Sequence, residues 1–82
     1  QMSNEQRKQT EGEYLVGVSF NPSNSSAVDE IKNKTASLID LLFAYAKQPY
    51  HTPGAREAAI AIENLEAAAM WAVKAVTKQP RN

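Results

Sequence analysis

The junction between residues 17 and 34 brings aromatic, amide and lysine side chains close together along the chain. Phe20 and Asn21 precede a polar turn, and Lys32 follows that turn on a predicted helix. A phenylalanine ring can stack on a nucleobase, and a lysine ammonium suits a phosphate. Ser26 stands where the helix is predicted to start, and free N–H groups favour an anion there. Together these residues could bind a small anion that carries an aromatic base.

Each of these residues also has an ordinary structural interpretation. Phe20 could cover a helical core, and Lys32 could lie on a solvated helix face. Asn21 could serve the turn, and Ser26, followed three residues later by Asp29, is typical of a capping box. The residues alone leave both interpretations open.

Arg56 is a further candidate, in the predicted first turn of a second helix. The helix dipole disfavours a cation at that end, whereas a guanidinium binds phosphate with two hydrogen bonds. A ligand would therefore explain its position. A salt bridge to Glu57, to Glu63 or to a neighbouring chain is the alternative.

The composition excludes several other chemistries. Cysteine is absent and His51 is the single histidine, so we expect no catalytic triad, no metal site, no cofactor and no enzyme. Nine basic residues balance nine acidic ones, which argues against binding of bulk nucleic acid or an acidic membrane. No apolar run reaches the ~18 residues of a membrane span and no signal peptide is visible, so we expect a cytoplasmic protein. Gln1 ahead of Met2 suggests a tag remnant.

The elements that must position these residues follow from the apolar pattern. Residues 1 to 13 are polar and predict a flexible tail, whereas residues 14 to 20 alternate and predict a short strand or an extended arm. Helix one is predicted over about 27 to 47, and helix two over about 54 to 77 with Thr52 as a possible cap. The predicted buried seam of helix one is Val28, Ile31, Leu38, Leu42 and Tyr45, and that of helix two is Ala58, Ile62, Leu65, Ala69, Ala72 and Val76.

Two helices joined by a short loop predict an all-α fold, an antiparallel hairpin over residues 14 to 78 with an extended N-terminal arm. Both helices are apolar over more than one face, which one hairpin cannot bury. We therefore expect a homo-oligomeric helical bundle. Its interface is predicted to include Leu65, Ala69, Met70 and Trp71 on helix two.

The helix-two segment AREAAIAIENLEAAAMWAVKAV resembles the second hairpin helix of the phage anti-CBASS and anti-Thoeris signal sponges. In that family an arginine opens the helix and a methionine and a basic residue close it, which would be Arg56, Met70 and Lys74 here. The segment VDEIKNKTASLIDLL is similar to the family's helix one, with the Ile-Lys pair at Ile31 and Lys32. The likeness covers about residues 17 to 77.

This resemblance implies a non-enzymatic protein that sequesters host immune signals, namely cyclic dinucleotides or oligonucleotides or cyclic ADP-ribose isomers. It implies homohexamers with each pocket formed by two protomers, an aromatic before helix one that stacks on a base, and a lysine near the phosphates. Phe20 and Lys32 match those two roles. The chain departs from the family at Phe20-Asn21-Pro22, where members carry Tyr-Arg, and at Ile62-Glu63, where some members carry Arg-Thr. The alternative function is a helical self-assembly or protein-docking module without a small-molecule ligand.

Overall fold

The computed structural model describes residues 8–81, and this range contains three helices and no strand. Helix α1 spans Glu11–Val16, α2 spans Ser26–Ala46 and α3 spans Ala55–Thr77. The two long helices form the predicted hairpin, and α1 packs mainly against α2. The fold class is therefore all-α, as predicted, with a third short helix.

The N-terminal segment differs from the prediction of a strand or an extended arm. Residues 11 to 16 are helical, and Gly17 ends the helix with a left-handed φ of 71°. A capping box starts it, because Thr10 and Glu13 each bond to the other's backbone. These two local signals override the alternating pattern. Residues 11 to 13 therefore belong to α1 and not to a tail, while residues 1 to 7 and the expected tag remnant lie outside the described range.

The core of the hairpin is small and rich in alanine. Ile39 of α2 is completely buried, and α3 buries Ala58, Ile62 and Ala69 against its neighbours. The predicted seam of α3 is therefore correct in its first part, although Val76 near the end is 46% exposed. Alanines at this contact let the helix backbones approach closely.

The predicted seam of α2 is correct at Val28 and wrong at Leu38 and Tyr45, while Ile31 and Leu42 are half-buried. Leu38 and Tyr45 are 43% and 57% exposed, whereas the buried positions are Val28, Lys32, Ala36 and Ile39. The cause is α1, which packs on the side of α2 that carries Lys32 and Ala36. A pattern that counts lysine as a surface residue cannot identify that side.

Two predicted helix caps are also corrected. Ser25, and not Ser26, caps α2, because its hydroxyl accepts a hydrogen bond from the backbone N–H of Val28. Gly54 caps α3 with a φ of 91° and without a side-chain hydrogen bond, so Thr52 does not serve this role.

Candidate functional site

Lys32 lies inside the fold rather than on a solvated face. It is 8% exposed, and its ammonium donates to the backbone carbonyls of Gly17, at 3.1 Å, and Phe20. No carboxylate in the described part of the chain forms an ion pair with it. The result is a nearly buried positive charge that is satisfied only by neutral carbonyls. Such a charge is costly to bury and is better compensated by an anion.

Phe20 lies beside this ammonium and is open to solvent. Phe20 is 70% exposed, and the Lys32 Nζ atom lies 5.3 Å from the centroid of its ring. That distance is within the range of a cation–π contact. The accessible Phe20 ring therefore lies next to Lys32, the one buried ammonium of residues 8–81. Stacking on a base by Phe20 and phosphate binding by Lys32 would require this proximity.

Asn21 is engaged in the turn that leads into α2. Its Nδ2 donates to the Ser25 carbonyl and to Asp29 Oδ1, both at 2.9 Å. Its Oδ1 accepts from Ser23 Oγ at 2.9 Å and from the Ser25 N–H at 3.3 Å. These contacts give Asn21 a clear structural role. Ser26 is exposed in the first turn of α2, and both residues remain predicted ligand contacts.

A pocket of about 270 Å³ opens next to Lys32, between α1, α2 and α3. The residues that line it are Leu15, Val16, Lys32, Glu66, Ala69, Met70 and Val73. The sequence pattern did not indicate Leu15, Val16, Glu66 or Val73 as part of a site. For Leu15 and Val16, a helical assignment of residues 11 to 16 would have been the signal, because α1 is the element that closes this side.

The comparison with known families decides where this hairpin belongs. The family model of the Acb2/Tad1 hairpin domain matches residues 13–77, a range that extends from α1 through both long helices. The chain belongs to the Acb2/Tad1 hairpin-domain family. Comparisons with curated proteins and with solved structures gave no match.

This is the anti-CBASS and anti-Thoeris sponge family, so the resemblance seen in the sequence is confirmed. Membership in the Acb2/Tad1 family implies anti-defence activity through sequestration of signals, by a binding domain rather than an enzyme. Residues 8–81 hold no group of three or more His, Cys, Asp or Glu side chains that could hold a metal ion. No helix in the same range is long and apolar enough to cross a membrane.

Arg56 lies far from the Lys32 pocket of the same Acb2/Tad1 chain. Thirteen residues separate it from Ala69 along α3, which is about 20 Å at the helical rise of ~1.5 Å per residue. Its guanidinium is 3.8 Å from the Glu57 carboxylate, and both side chains are largely exposed. Within one chain the structure therefore does not bring Arg56 together with Phe20 and Lys32, and a shared role would need a second copy.

The predicted interface residues fall into two groups. Ala69 is buried and Leu65 is half-buried inside the chain, whereas Met70 and Trp71 are 73% and 69% exposed. Lys74 Nζ lies 5.2 Å from the Trp71 ring centroid. Of the four, Met70 and Trp71 are thus the ones available to another molecule.

Proposed function

We propose that this protein sequesters host immune signalling nucleotides, cyclic dinucleotides or oligonucleotides or cyclic ADP-ribose isomers, without cleaving them. The observation that carries the proposal is the match of the Acb2/Tad1 hairpin-domain family over residues 13–77. The matched range contains Phe20, Lys32 and almost all of the pocket-lining helices. The place of action would be the cytoplasm of the infected bacterial cell.

The lack of a paired carboxylate at Lys32 supports a phosphate-containing ligand there, whereas Glu66, which lines the same pocket, opposes one. The Lys32 ammonium has two carbonyl acceptors for three N–H groups, and no carboxylate in residues 8–81 pairs with it. A phosphate oxygen could take the third N–H and compensate the charge. The adjacent Phe20 ring offers a face on which a base can stack, a contact worth ~1–3 kcal/mol.

The size of the pocket supports a site that is completed by a second protomer. At about 270 Å³ it falls just below the ~300–1,000 Å³ typical of small-molecule sites. A cyclic dinucleotide therefore needs additional walls. The exposed Met70 at the rim and the neighbouring Trp71 are suited to apolar contact with another copy. This arrangement fits the homohexamer with two-protomer pockets that the family resemblance implies.

Isothermal titration with cyclic dinucleotides, cyclic trinucleotides and cyclic ADP-ribose isomers tests the proposal. We expect at least one compound to bind and to be recovered chemically unchanged after heating of the complex. Phe20→Ala should weaken binding about tenfold or more, because a base stack is lost. Tyr50→Ala, which removes an equally exposed aromatic from the loop between α2 and α3, should leave it unchanged. Absence of binding by every compound would refute the proposal.

The second candidate function, a self-assembly or docking module without a ligand, is favoured by one observation. Large apolar side chains are exposed along both long helices, among them Leu41, Tyr45, Met70 and Trp71. In that case Met70→Glu should abolish activity through loss of assembly, whereas Phe20→Ala should have no effect. Because Met70 also lines the pocket, the variant that separates the two hypotheses is Phe20→Ala.

A further inference from the structure

Helix α1 is too short to be stable on its own and depends on contacts with α2. It has six residues, whereas isolated helices need ~12–15 residues even to be marginal in water. The Gly12 N–H donates to Asp40 Oδ1 at 2.7 Å, over a separation of 28 residues. Gly12 also lies so close to α2 that an added Cβ would sit 2.1 Å from the Ala36 carbonyl oxygen. The N-terminal end of α1 is therefore docked at one defined place.

The other end of α1 is held by a charge of opposite sign. Lys32 donates to the carbonyl of Gly17, the residue that ends α1, and to that of Phe20 just beyond it. Lys32 and Asp40 are eight residues apart on α2, which is about 12 Å along the helix axis. A carboxylate thus accepts from the Gly12 N–H in the first turn of α1, and an ammonium donates to the carbonyl of the C-terminal cap Gly17. This arrangement is the one that the helix dipole favours.

The position of α1 determines one wall of the pocket beside Lys32. Leu15 and Val16 of α1 line that pocket, opposite Ala69 and Val73 of α3. Asp40 itself is not among the lining residues. Any loosening of α1 from Asp40 would displace the apolar wall without removing a group that can touch the ligand.

We infer that Asp40 is a positioning residue of the ligand site, which it shapes by anchoring α1 through Gly12. The inference rests on the proposed function for its ligand, but the anchoring itself can be measured without one. The role of Asp40 differs from that of Lys32, whose ammonium contacts the end of the same helix and which is itself a pocket-lining residue. The anchoring role of Asp40 explains why its carboxylate is half-buried on the side of α2 that faces α1.

Hydrogen exchange of the ligand-free protein provides the first test. The amides of residues 12 to 18 should exchange about tenfold faster in Asp40→Ala, because the hydrogen bond from Gly12 to a charged acceptor is lost. Asp40→Asn keeps an acceptor and should preserve most of the protection. Glu30→Ala removes a carboxylate from an exposed position of α2 and should have no effect on α1. The amides of α3 serve as an internal reference and should not change.

Titration of the same variants with cyclic di-AMP, cyclic di-GMP and cyclic ADP-ribose provides the second test. For each compound that the wild type binds, we expect about tenfold weaker binding by Asp40→Ala and near-normal binding by Asp40→Asn. Gly12→Ala keeps every ligand-facing group but forces α1 away from Ala36, and should weaken binding in the same way. Rescue by asparagine separates this positioning role from a general loss of stability.

The outcomes are distinguishable. Unchanged exchange of residues 12 to 18 in Asp40→Ala would overturn the anchoring, with or without a ligand. Faster exchange together with unchanged affinity would overturn the role of Asp40 in the site. If the wild type binds none of the three compounds nor any other of the panel, the proposed function fails and the role in the site fails with it, while the exchange result still decides the anchoring.

Discussion

Different forces stabilise the two regions of the molecule. The first region is the hairpin of α2 and α3, and the second is the N-terminal segment of residues 10 to 25. The hairpin is stabilised by apolar side chains, with Ile39 fully buried and alanines at the helix contact. The N-terminal segment relies on directed hydrogen bonds, such as Gly12 to Asp40 and Lys32 to Gly17. The candidate site lies where the two regions meet.

This difference has a consequence for function. Burial of apolar surface is non-directional and tolerates small shifts, whereas a hydrogen bond to a charged group fixes a distance and an angle. The apolar contacts of the hairpin can therefore stabilise the fold as a whole, and the hydrogen bonds of the N-terminal segment can set the shape of the pocket. We expect variants of the hairpin core to affect global stability and variants of the N-terminal segment to act locally.

Ile39→Ala should have the largest effect. Removal of a completely buried isoleucine side chain leaves a cavity and should lower the free energy of unfolding by about 2–5 kcal/mol. Urea unfolding followed by circular dichroism at several protein concentrations measures the change. Because the hairpin supports the whole fold, the helical signal of all three helices should be lost in one transition.

Ile60→Ala is the matched control, because it makes the same substitution at a position of α3 that is 41% exposed. Ile60→Ala should lower the free energy of unfolding clearly less than Ile39→Ala does. If the loss in free energy of unfolding for Ile60→Ala increases with protein concentration and reaches that of Ile39→Ala, another copy covers Ile60. If the two losses are equal at every concentration, the assignment of the core to the Ile39 side is contradicted.

The same difference explains how much of the structure the sequence could predict. The long helices lie within about one residue of the predicted ranges, since helical periodicity is a local property. Helix α1 was missed because the alternation of residues 14 to 20 was interpreted as a strand, although the capping box of Thr10 and Glu13 and the terminal Gly17 are local signals. Its docking through Gly12 and Asp40 joins residues 28 positions apart and could not be predicted from a local pattern. Lys32 and Ala36 of α2 were not predicted to be buried, because α1 covers that side and, with the following turn, supplies the carbonyls that Lys32 contacts. Phe20 and Lys32 were predicted as ligand contacts from their chemistry and the resemblance, and in that role they stay predictions. The pocket wall at Leu15 and Val16 could not be predicted without α1.

Ser25→Ala should have an intermediate effect at the boundary between the two regions. The Ser25 hydroxyl accepts from the Val28 N–H at 3.3 Å and so satisfies one free donor at the start of α2. Its loss should cost about 1 kcal/mol, measured by urea unfolding. Ser26→Ala, one residue later and inside the helix, should be neutral within a few tenths of a kcal/mol because alanine is favourable there. A larger loss of stability for Ser26→Ala than for Ser25→Ala would mean that Ser26 caps α2, as the sequence predicted.

The smallest effect should come from the exposed ion pair of Glu30 and Lys34, which belongs to neither set of contacts. The two side chains are 2.8 Å apart on successive turns of α2. The hydrogen bond from Lys34, and then its charge, lower the pKa of the Glu30 carboxyl, and the same contact raises the pKa of Lys34. A lowered pKa in the folded state means that the stabilisation is present above the pKa of the unfolded chain and is lost as the pH falls through the folded value. The raised pKa of Lys34 means that the same stabilisation is lost again as the pH rises through that residue's folded value.

Comparison of wild type with Glu30→Gln by urea unfolding checks this pH dependence. Wild type should have a slightly higher midpoint at neutral pH, and the difference should disappear in acid below the pKa of Glu30 and in about 1 M salt, where the charges are screened. Glu63→Gln, on an exposed position of α3 that forms no ion pair within residues 8–81, should show no such difference. A Glu30 effect that persists in acid would mean that the side chain contributes through packing and not through its charge. An effect as large as that of Ser25→Ala would show that surface charge contributes as much to the stability of α2 as its N-terminal cap does.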